Sequence, residues 1–281
     1  MNNHMTMRVA QARTLLFVPG NRPDRFEKAA HCGADAVVLD LEDSVPSVDK
    51  AAARLAIARD WTRLQGLGVP LVVRINTADG ELGRADLAWL AALPLPAAVM
   101  VPKAESASVL EQVHRALRGV PTLALIESAA GYAALPSLGG AAGVLRLVVG
   151  HIDFMADTGL QCDENESELG PLRFAVTIAT RLNRLSPPVD GVTVQIGDEA
   201  RLRVDVRRAL CFGFSGKLCI HPSQVAVVHD AFMPTAEELT WAHKVLAADA
   251  AAGGAAVQVD GRMVDLPVVL QARRLVARAM P

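Results

Sequence analysis

The feature that most constrains the fold of this chain is a regular alternation of two hydrophobic patterns. Short apolar runs recur along the sequence, and each is followed by a longer segment in which apolar residues return with the period of a helix. Such an alternation is typical of parallel βα units rather than of β-hairpins. Eight units of this kind predict a closed (β/α)8 barrel of the TIM type. The predicted strands are Thr14–Pro19, Ala36–Leu41, Leu71–Asn76, Ala97–Pro102, Thr122–Glu127, Leu145–Gly150, Val192–Ile196 and Ser215–Ile220.

The segments between the strands have the length and spacing of helices that would cover a barrel. An open, doubly wound sheet is the alternative architecture, but no G-x-G-x-x-G motif follows the first strand, so a dinucleotide site is not expected. The predicted helices are Pro23–Cys32, Asp49–Leu67, Leu82–Leu93, Ala107–Leu117, Gly131–Leu138, Leu169–Asn183, Glu199–Phe212 and Ser223–Phe232.

The eight units account for residues 1–232, which we assign to the barrel, and they leave residues 233–281 as a C-terminal extension. A closed barrel does not need this extension, so we expect it to act as a lid that covers the barrel mouth or reaches a neighbouring subunit. Its predicted elements are a helix over Thr235–Ala252, a short segment over Val257–Asp265 with a turn at Asp260 and Gly261, and a helix over Pro267–Ala279.

Composition excludes several classes of protein. Of the 281 residues, 51% are apolar and 21% are charged, which predicts a large core and excludes disorder. The net charge of -2 offers no basic field for a nucleic acid or an anionic membrane. No apolar run approaches the roughly 20 residues of a spanning helix, and the start does not resemble a signal peptide, so we expect a cytoplasmic protein. The scattered cysteines form no C-x-x-C pair, which favours buried thiols over zinc or disulfides.

Polar residues follow most of the predicted strands. In a parallel barrel the carboxyl ends of the strands share one face, where catalytic groups collect. We therefore expect these side chains to converge on one rim, although solvated or ion-paired surface charges are the alternative. The residues concerned are Asp40, Glu42 and Asp43 after strand 2, Arg74 and Asn76 at strand 3, Lys103 after strand 4, Glu127 at strand 5, His151 and Asp153 after strand 6, and His221 after strand 8.

Glu127 and Asp153 are the predicted metal ligands. They come from adjacent strands, and no His or Cys cluster accompanies them, which favours Mg²⁺ with one or two protein carboxylates and further oxygens from water or substrate. Pairing of one or both carboxylates with Arg74 or Lys103 is the competing interpretation.

Arg74 has a planar fork suited to a substrate carboxylate or a developing enolate, although pairing with Glu42 or Asp43 competes with that role. The crowded acids Asp40, Glu42 and Asp43 fit either outer neighbours of the metal ligands or caps of the following helix. Lys103 raises the possibility of a Schiff-base aldolase, which the surrounding acids disfavour because they would keep the lysine protonated.

The acidic stretch Asp157–Gly170 fits an active-site loop or a solvated surface loop.

Several ordered motifs make the sequence similar to one family. The chain resembles the citrate lyase beta-subunit-like proteins of the HpcH/HpaI aldolase superfamily over nearly its whole length. The motifs are Arg13-Thr-Leu-Leu-Phe-Val-Pro-Gly-Asn-Arg-Pro, Gly33-Ala-Asp-Ala-Val-Val-Leu-Asp-Leu-Glu-Asp-Ser-Val, Lys50-Ala-Ala-Ala-Arg54, Val73-Arg-Ile-Asn76, Val101-Pro-Lys103, Leu125-Ile-Glu-Ser128, Gly150-His-Ile-Asp153, Gly216-Lys-Leu-Cys-Ile-His-Pro222 and Val259-Asp-Gly-Arg-Met-Val-Asp265.

The resemblance implies a Mg²⁺-dependent carbon–carbon lyase that acts on a 3-hydroxyacyl thioester of the citryl-, citramalyl- or malyl-CoA type, with CoA or an acyl carrier as the thiol partner. It implies that Arg74 and Glu127 contact the substrate and that Glu127 and Asp153 hold the metal. Asp265 resembles an acid/base supplied to the neighbouring subunit's site, which implies a homotrimer or a multiple of one, while an N-cap before Pro267 is its structural alternative. Two other functions stay open, a pyruvate-type aldolase acting on free 2-oxo acids and a non-catalytic thioester-binding subunit of a larger complex.

Overall fold

Eight parallel strands close into a barrel in the computed structural model, which describes residues 2–279. The strands are β1 Thr14–Pro19, β2 Ala36–Asp40, β3 Leu71–Arg74, β4 Ala98–Val101, β5 Thr122–Ile126, β6 Val144–Val149, β7 Val189–Asp190 and β8 Gly216–Cys219. Each strand pairs with the next along the chain, and β8 pairs with β1 to close the sheet. The predicted (β/α)8 barrel is confirmed.

Helices surround this barrel and continue beyond it, and the C-terminal hairpin and helices are also confirmed. The helices are α1 Asn2–Gln11, α2 Phe26–Ala30, α3 Lys50–Gly66, α4 Glu81–Ala91, α5 Ala107–Ala116, α6 Ala129–Gly140, α7 His151–Thr158, α8 Gly170–Leu182, α9 Glu199–Cys211, α10 Ser223–Phe232, α11 Ala236–Ala251 and α12 Leu266–Ala279. The hairpin is formed by β9 Val257–Val259 and β10 Arg262–Val264.

The barrel strands are apolar on both faces because one face packs inside the barrel and the other packs against helices. Strands β2, β3, β4 and β5 are buried at every position. The main core cluster combines aliphatic side chains from all eight strands or their flanks with residues of α1. Its buried members are Val9, Ala12, Leu15, Ala36, Val38, Val72, Ala97, Ala98, Met100, Leu123, Leu125, Val148, Val189 and Leu218.

One buried arginine joins the floor of the barrel to the amino-terminal helix. Arg146 in β6 is fully buried, and its guanidinium donates to the carbonyls of Val9 (3.0 Å) and Ala12 (2.7 Å) at the end of α1. It also donates to the carbonyl of Pro187 (2.7 Å) and to Ser215 Oγ (3.0 Å) before β8. Because an arginine has five donors, one side chain satisfies groups from three separate parts of the chain.

The predicted seventh strand, Val192–Ile196, is wrong, since β7 spans Val189–Asp190 and pairs with β6 and β8. The sequence Val-Thr-Val-Gln-Ile alternates like a strand but lies in the following loop, where Val194 is 50% exposed. The sequence prediction also lacked α1 and α7. The short α7 ends at Gly159, whose φ of +73° favours glycine.

The chain divides into two compact units, residues 2–228 and 229–279. In the second unit α11 and α12 pack on each other and on the hairpin, around a small core. A capping box of Thr235 and Glu238 begins α11, and a turn at Asp260 and Gly261, both with positive φ, joins β9 to β10. The buried residues of this core are Ala242, Val245, Val264, Val269 and Ala272.

Between residues 2 and 279, no helix combines the length and the apolar character that a membrane span requires. The four cysteines, Cys32, Cys162, Cys211 and Cys219, are free thiols, but the prediction that they are buried is wrong for Cys211, which is exposed, and for the half-buried Cys32 and Cys162. Only Cys219 is fully buried, and burial raises the pKa of its thiol to about 12.

Candidate active site

Arg74 at the end of β3 occupies the centre of a buried ion cluster at the barrel mouth. Its Nε and Nη2 donate to the two carboxylate oxygens of Asp40, at 2.6 and 2.7 Å, in a bidentate pair. Its guanidinium carbon lies 4.7 Å from the ring centroid of Phe17 in β1, a cation–π contact. The sequence singled out Glu42 and Asp43 as competing partners of Arg74, but Asp40 makes the strongest pair.

Glu42 and Asp43 complete this cluster from the turn after β2. Glu42 Oε2 lies 2.8 Å from Arg74 Nη1, and an Asp43 oxygen lies 3.8 Å from the same nitrogen. Burial raises the pKa of Glu42 to about 7, because the opposing effect of Arg74 is partly cancelled by the nearby Asp43. One guanidinium therefore faces three acids, and the acids are only partly neutralised.

Glu127, directly after β5, lies buried beside this cluster. Its Oε1 accepts a hydrogen bond from the backbone N–H of Lys103 at 2.8 Å. The residue that donates this hydrogen bond, Lys103, has a φ of +46°, which is a costly backbone conformation for a non-glycine residue. Burial, with a smaller contribution from the charges of Glu42 and Asp153, raises the pKa of Glu127 to about 8 against the opposing hydrogen bond from Lys103.

Gly150 makes room for the Glu127 carboxylate. A Cβ atom at position 150 would lie 2.6 Å from Glu127 Oε2 and 2.7 Å from its Cβ, so any larger residue would displace the acid. Asp153 follows three residues later in the first turn of α7, where the positive end of the helix dipole favours a carboxylate. Its charge raises the pKa of Glu127, so the two acids predicted as metal ligands interact electrostatically.

The donor set suits a hard divalent cation. Across the part of the chain that the structure describes, no three His, Cys, Asp or Glu side chains form a metal-binding group by themselves. Glu127 nevertheless carries a carboxylate that the protein leaves poorly compensated, with a second carboxylate close by. Mg²⁺ commonly binds through one or two carboxylates and keeps water or substrate oxygens in its other positions, so this pair of oxygen donors fits it.

The acidic stretch Asp157–Gly170 lines a cavity of about 620 Å³ beside α7. Glu166 from this stretch pairs with Arg173, Arg201 and Arg208 at 2.6 to 2.9 Å. His151 lines the same cavity and is 4% exposed, and its Nδ1 has no hydrogen-bond partner among residues 2–279. The stretch is therefore fixed to the protein by ion pairs through Glu166.

Two other strand-end residues lie outside the cluster. The side chain of Lys103 is exposed, which does not provide the desolvated environment that a Schiff-base lysine needs. His221 is exposed too, and its Nδ1 lies 2.8 Å from Ser223 Oγ. The backbone N–H groups of Ile220 and His221 both donate to Gln224 Oε1, which gives this motif a structural role.

Asp265 belongs to the second unit and begins α12. Its Oδ1 accepts from the backbone N–H of Val268 at 3.4 Å, the contact expected of a helix cap. The side chain is half-buried and forms a weak, long hydrogen bond, so the carboxylate retains acceptor capacity for other partners.

Sequence reasoning missed three residues that support the cluster. Phe17 packs on Arg74, Lys50 lies under the turn that carries Glu42, and Asp86 in α4 holds Asn76. The scarcity of lysine is a signal that could have singled out Lys50, since the chain has only five lysines beside twenty-three arginines.

The closed barrel and the acids and arginine at its mouth are features of a barrel enzyme. The chain belongs to the HpcH/HpaI aldolase/citrate lyase family, which matches residues 13–222. Residues 176–280 also match the C–C bond lyases of the TIM-barrel fold. Members of these families are carbon–carbon lyases, and the predicted family and enzyme class are confirmed.

Individual relatives agree with this assignment. A citrate lyase subunit beta-like protein of Deinococcus radiodurans is 34% identical over 279 residues, covering 95% of this chain and 97% of that protein. The mitochondrial citramalyl-CoA lyase of Rattus norvegicus is 30% identical over 304 residues, covering 99% of this chain and 88% of that protein. The crystal structure of CitE from Mycobacterium tuberculosis with magnesium, acetoacetate and coenzyme A has a TM-score of 0.85 at 34% identity, covering 96% and 99%.

Proposed function

We propose that this chain is a Mg²⁺-dependent lyase that cleaves a 3-hydroxyacyl-CoA thioester into a 2-oxo acid and acetyl-CoA. The observation that carries the proposal is the buried, poorly compensated Glu127 with Asp153 beside it and Arg74 in the same mouth. Support comes from a relative named as a citramalyl-CoA lyase and from a similar structure that contains magnesium and coenzyme A. The substrate would be of the citryl, citramalyl or malyl type.

In this proposal Glu127 and Asp153 would hold Mg²⁺, which would supply Lewis-acid polarisation of substrate oxygens. Glu127 also contacts the substrate through its carboxylate. Arg74 contacts the substrate and stabilises the negative charge that develops as the bond breaks. Asp40 keeps the guanidinium plane fixed by its bidentate pair, so Arg74 does not need to reorganise during the reaction.

The reaction is a retro-Claisen cleavage. The 3-hydroxyl group loses its proton to solvent, its carbon becomes the carbonyl carbon of the 2-oxo acid, and the adjoining carbon–carbon bond breaks. The electron pair of that bond forms the enolate of the thioester. Asp265 donates a proton to the enolate carbon, which yields the acetyl thioester, and then regains a proton from solvent.

We further propose that Asp265 acts on the site of a neighbouring subunit in a homotrimer or a multiple of one. The second unit would then serve as an intersubunit lid, which gives residues beyond the barrel a function. We place this assembly in the cytoplasm, where the four free thiols are stable.

Co-expression of two inactive variants tests this arrangement. An oligomer that mixes Asp153→Asn and Asp265→Asn subunits regains intact sites only if Asp265 acts in trans. Each intact site needs Asp153 from one subunit and Asp265 from its neighbour, and each residue is intact in half of the subunits. A random equal mixture therefore restores about one quarter of the sites. No recovery in oligomers shown by mass to be mixed would contradict the action in trans.

The proposed function is tested by release of acetyl-CoA from malyl-, citramalyl- and citryl-CoA in the presence of Mg²⁺. We expect cleavage of at least one of the three, with loss of activity in Asp153→Asn and on chelation of the metal. Asp153 is half-buried on a helix end, so the amide variant should fold, and its melting temperature checks this. Cleavage of none of the three by the isolated chain would overturn the proposal. Deuterium exchange into pyruvate without any CoA ester would instead indicate the pyruvate-type aldolase.

A further inference from the structure

The turn after β2 rests on a buried ammonium group. Lys50, at the start of α3, is only 6% exposed. Its Nζ donates to the carbonyls of Leu41 at 2.9 Å and Glu42 at 3.0 Å, and to Asn76 Oδ1 at 2.5 Å. An ammonium has three donors, so this arrangement uses all of them. All three acceptors are uncharged oxygens.

Asn76, two residues after β3, supports the same turn from the side. Its Nδ2 donates to the Leu41 carbonyl at 2.9 Å and to Asp86 Oδ2 at 2.7 Å. The backbone N–H of Asn76 donates to the same Asp86 oxygen at 2.8 Å. Asp86 is fully buried and also accepts from Arg54 Nη1 at 2.7 Å. A continuous chain of hydrogen bonds thus connects α3 and α4 to the turn.

The turn carries two acids of the candidate site. Asp40 holds its opposite side, since Asp40 Oδ1 accepts from the backbone N–H of Glu42 at 2.9 Å. With its amide bound to Asp40 and its carbonyl bound to Lys50, the backbone of Glu42 is fixed at both ends. Its side chain then meets Arg74, and Asp43 follows next to it.

We propose that Lys50 is a positioning residue of the lyase. It fixes the backbone of the turn 41–43, and so it determines where Glu42 and Asp43 stand relative to Arg74. This inference rests on the proposed function, because it gives the turn a part in the reaction. Burial of an ammonium without a contacting carboxylate is costly, and an apolar side chain of similar length would pack there without that cost.

Lys50→Met tests the proposal, because methionine keeps much of the apolar stem and removes the three donors. We expect kcat to fall about 10- to 100-fold, the range typical for residues that orient a metal site from outside it. We expect KM for the thioester to change less than kcat. Binding of MgCl2 to the free protein, measured by calorimetry, should persist because the three donors of Lys50 bind Leu41, Glu42 and Asn76 rather than the proposed metal ligands.

A crystal structure of Lys50→Met gives a readout independent of activity. We expect the turn 41–43 to move and Glu42 to leave Arg74, while the Asp40–Arg74 pair remains. An unmoved turn with unchanged kcat would overturn the proposal. Loss of Mg²⁺ binding together with a large fall in melting temperature would also overturn it, since Lys50 would then hold the fold rather than the turn.

Two further variants complete the experiment. Lys244→Met removes an exposed lysine paired with Asp260 and should leave kcat, Mg²⁺ binding and melting temperature unchanged. Asn76→Ala keeps the ammonium but removes one of its acceptors, so it should lower kcat in the same way but less. The double variant Lys50→Met with Asn76→Ala should lower kcat by less than the product of the two single-variant factors, because both residues act on one turn. If the unmodified chain cleaves no thioester, the proposed function fails, whereas the displaced turn would still be visible in the crystal.

Discussion

Two buried ion clusters involve the barrel strands, and they differ in how fully their charges are balanced. The first, at β2 and β3, contains Asp40, Glu42, Asp43 and Arg74. The second, at β7 and β8, contains Asp190 and Lys217 together with Arg173 of α8 and its other partner Glu166. Arg173 Nε donates to Asp190 Oδ1 at 3.0 Å, and Lys217 Nζ lies 3.9 Å from Asp190 Oδ2.

The two clusters differ in one acid. Burial alone would raise the pKa of Asp190, but Lys217 and Arg173 together hold it below its usual value. In the first cluster Arg74 likewise holds the pKa of Asp40 below its usual value, but at Glu42 burial dominates and raises the pKa to about 7. The second cluster is closed and compensated, as expected of a structural element. The first is unbalanced beside Glu127, as expected where a substrate or cation completes it.

The largest effect should come from Glu127→Gln, which leaves both clusters intact but removes the proposed metal ligand. We expect kcat/KM to fall about 10⁴-fold, or roughly 5 kcal/mol of transition-state stabilisation at about 1.4 kcal/mol per tenfold. Melting temperature should stay the same or rise, because a poorly compensated buried acid is lost. Retained activity would show that the unbalanced charge does not mark the metal site.

Asp190→Asn should damage the fold and spare the chemistry. It leaves Lys217 without its carboxylate neighbour and Arg173 with Glu166 alone, and breaking a buried pair of this kind costs about 3 to 5 kcal/mol of unfolding free energy. Urea unfolding measures the loss, and Asp260→Asn in an exposed pair is the control, expected to cost less than about 1 kcal/mol. A large fall in kcat per folded molecule would contradict the structural role of the second cluster.

Glu42→Gln should flatten the pH dependence of stability in the metal-free protein. The folded-state pKa of about 7 lies above the ordinary value of 4.5, so the folded protein binds the proton more tightly than the unfolded chain does. The tighter proton binding therefore adds at most about 3 kcal/mol to the free energy of unfolding. This stabilisation is fully present below pH 4.5 and is lost as the pH rises through about 7. Urea unfolding at pH 5 and pH 8 checks it. An equal slope in both proteins would show that Arg74 already balances Glu42.

The smallest effects come from a matched pair of hydroxyl deletions. Ser44 Oγ donates to Asp40 Oδ2 at 2.5 Å, and Thr193 Oγ1 donates to Asp205 Oδ2 at 2.6 Å. Ser44→Ala and Thr193→Val should each cost about 1 to 2 kcal/mol of stability, since each removes one hydrogen bond to a carboxylate. Only Ser44→Ala should also lower kcat, because Asp40 fixes Arg74. Equal kcat values in the two variants would argue against that coupling.

The same two clusters show what the sequence could reveal. Buried parallel strands give continuous apolar runs, and the polar residue that ends each run stands at the rim, which is why Arg74 and Glu127 were predicted correctly as rim residues. Asp190 escaped notice because β7 has only two residues and the alternating Val192–Ile196 looked more like a strand. Long-range partners such as Asp40 with Arg74 follow from barrel register, which spacing along one chain does not specify.

The arginine in the barrel floor also bears on the order in which the chain folds. Arg146 bonds to the carbonyls of Ala12 and Val9 across 134 and 137 positions of sequence, and to Ser215 across a further 69. Such distant contacts form slowly because long loops must close first. During synthesis, the end of α1 therefore cannot bind Arg146 until more than half of the chain has been made. The bond from Arg146 to Ser215 forms only after the segment before β8 has been made. A truncation or fusion that disturbs residues 2–11 should slow refolding more than it slows catalysis.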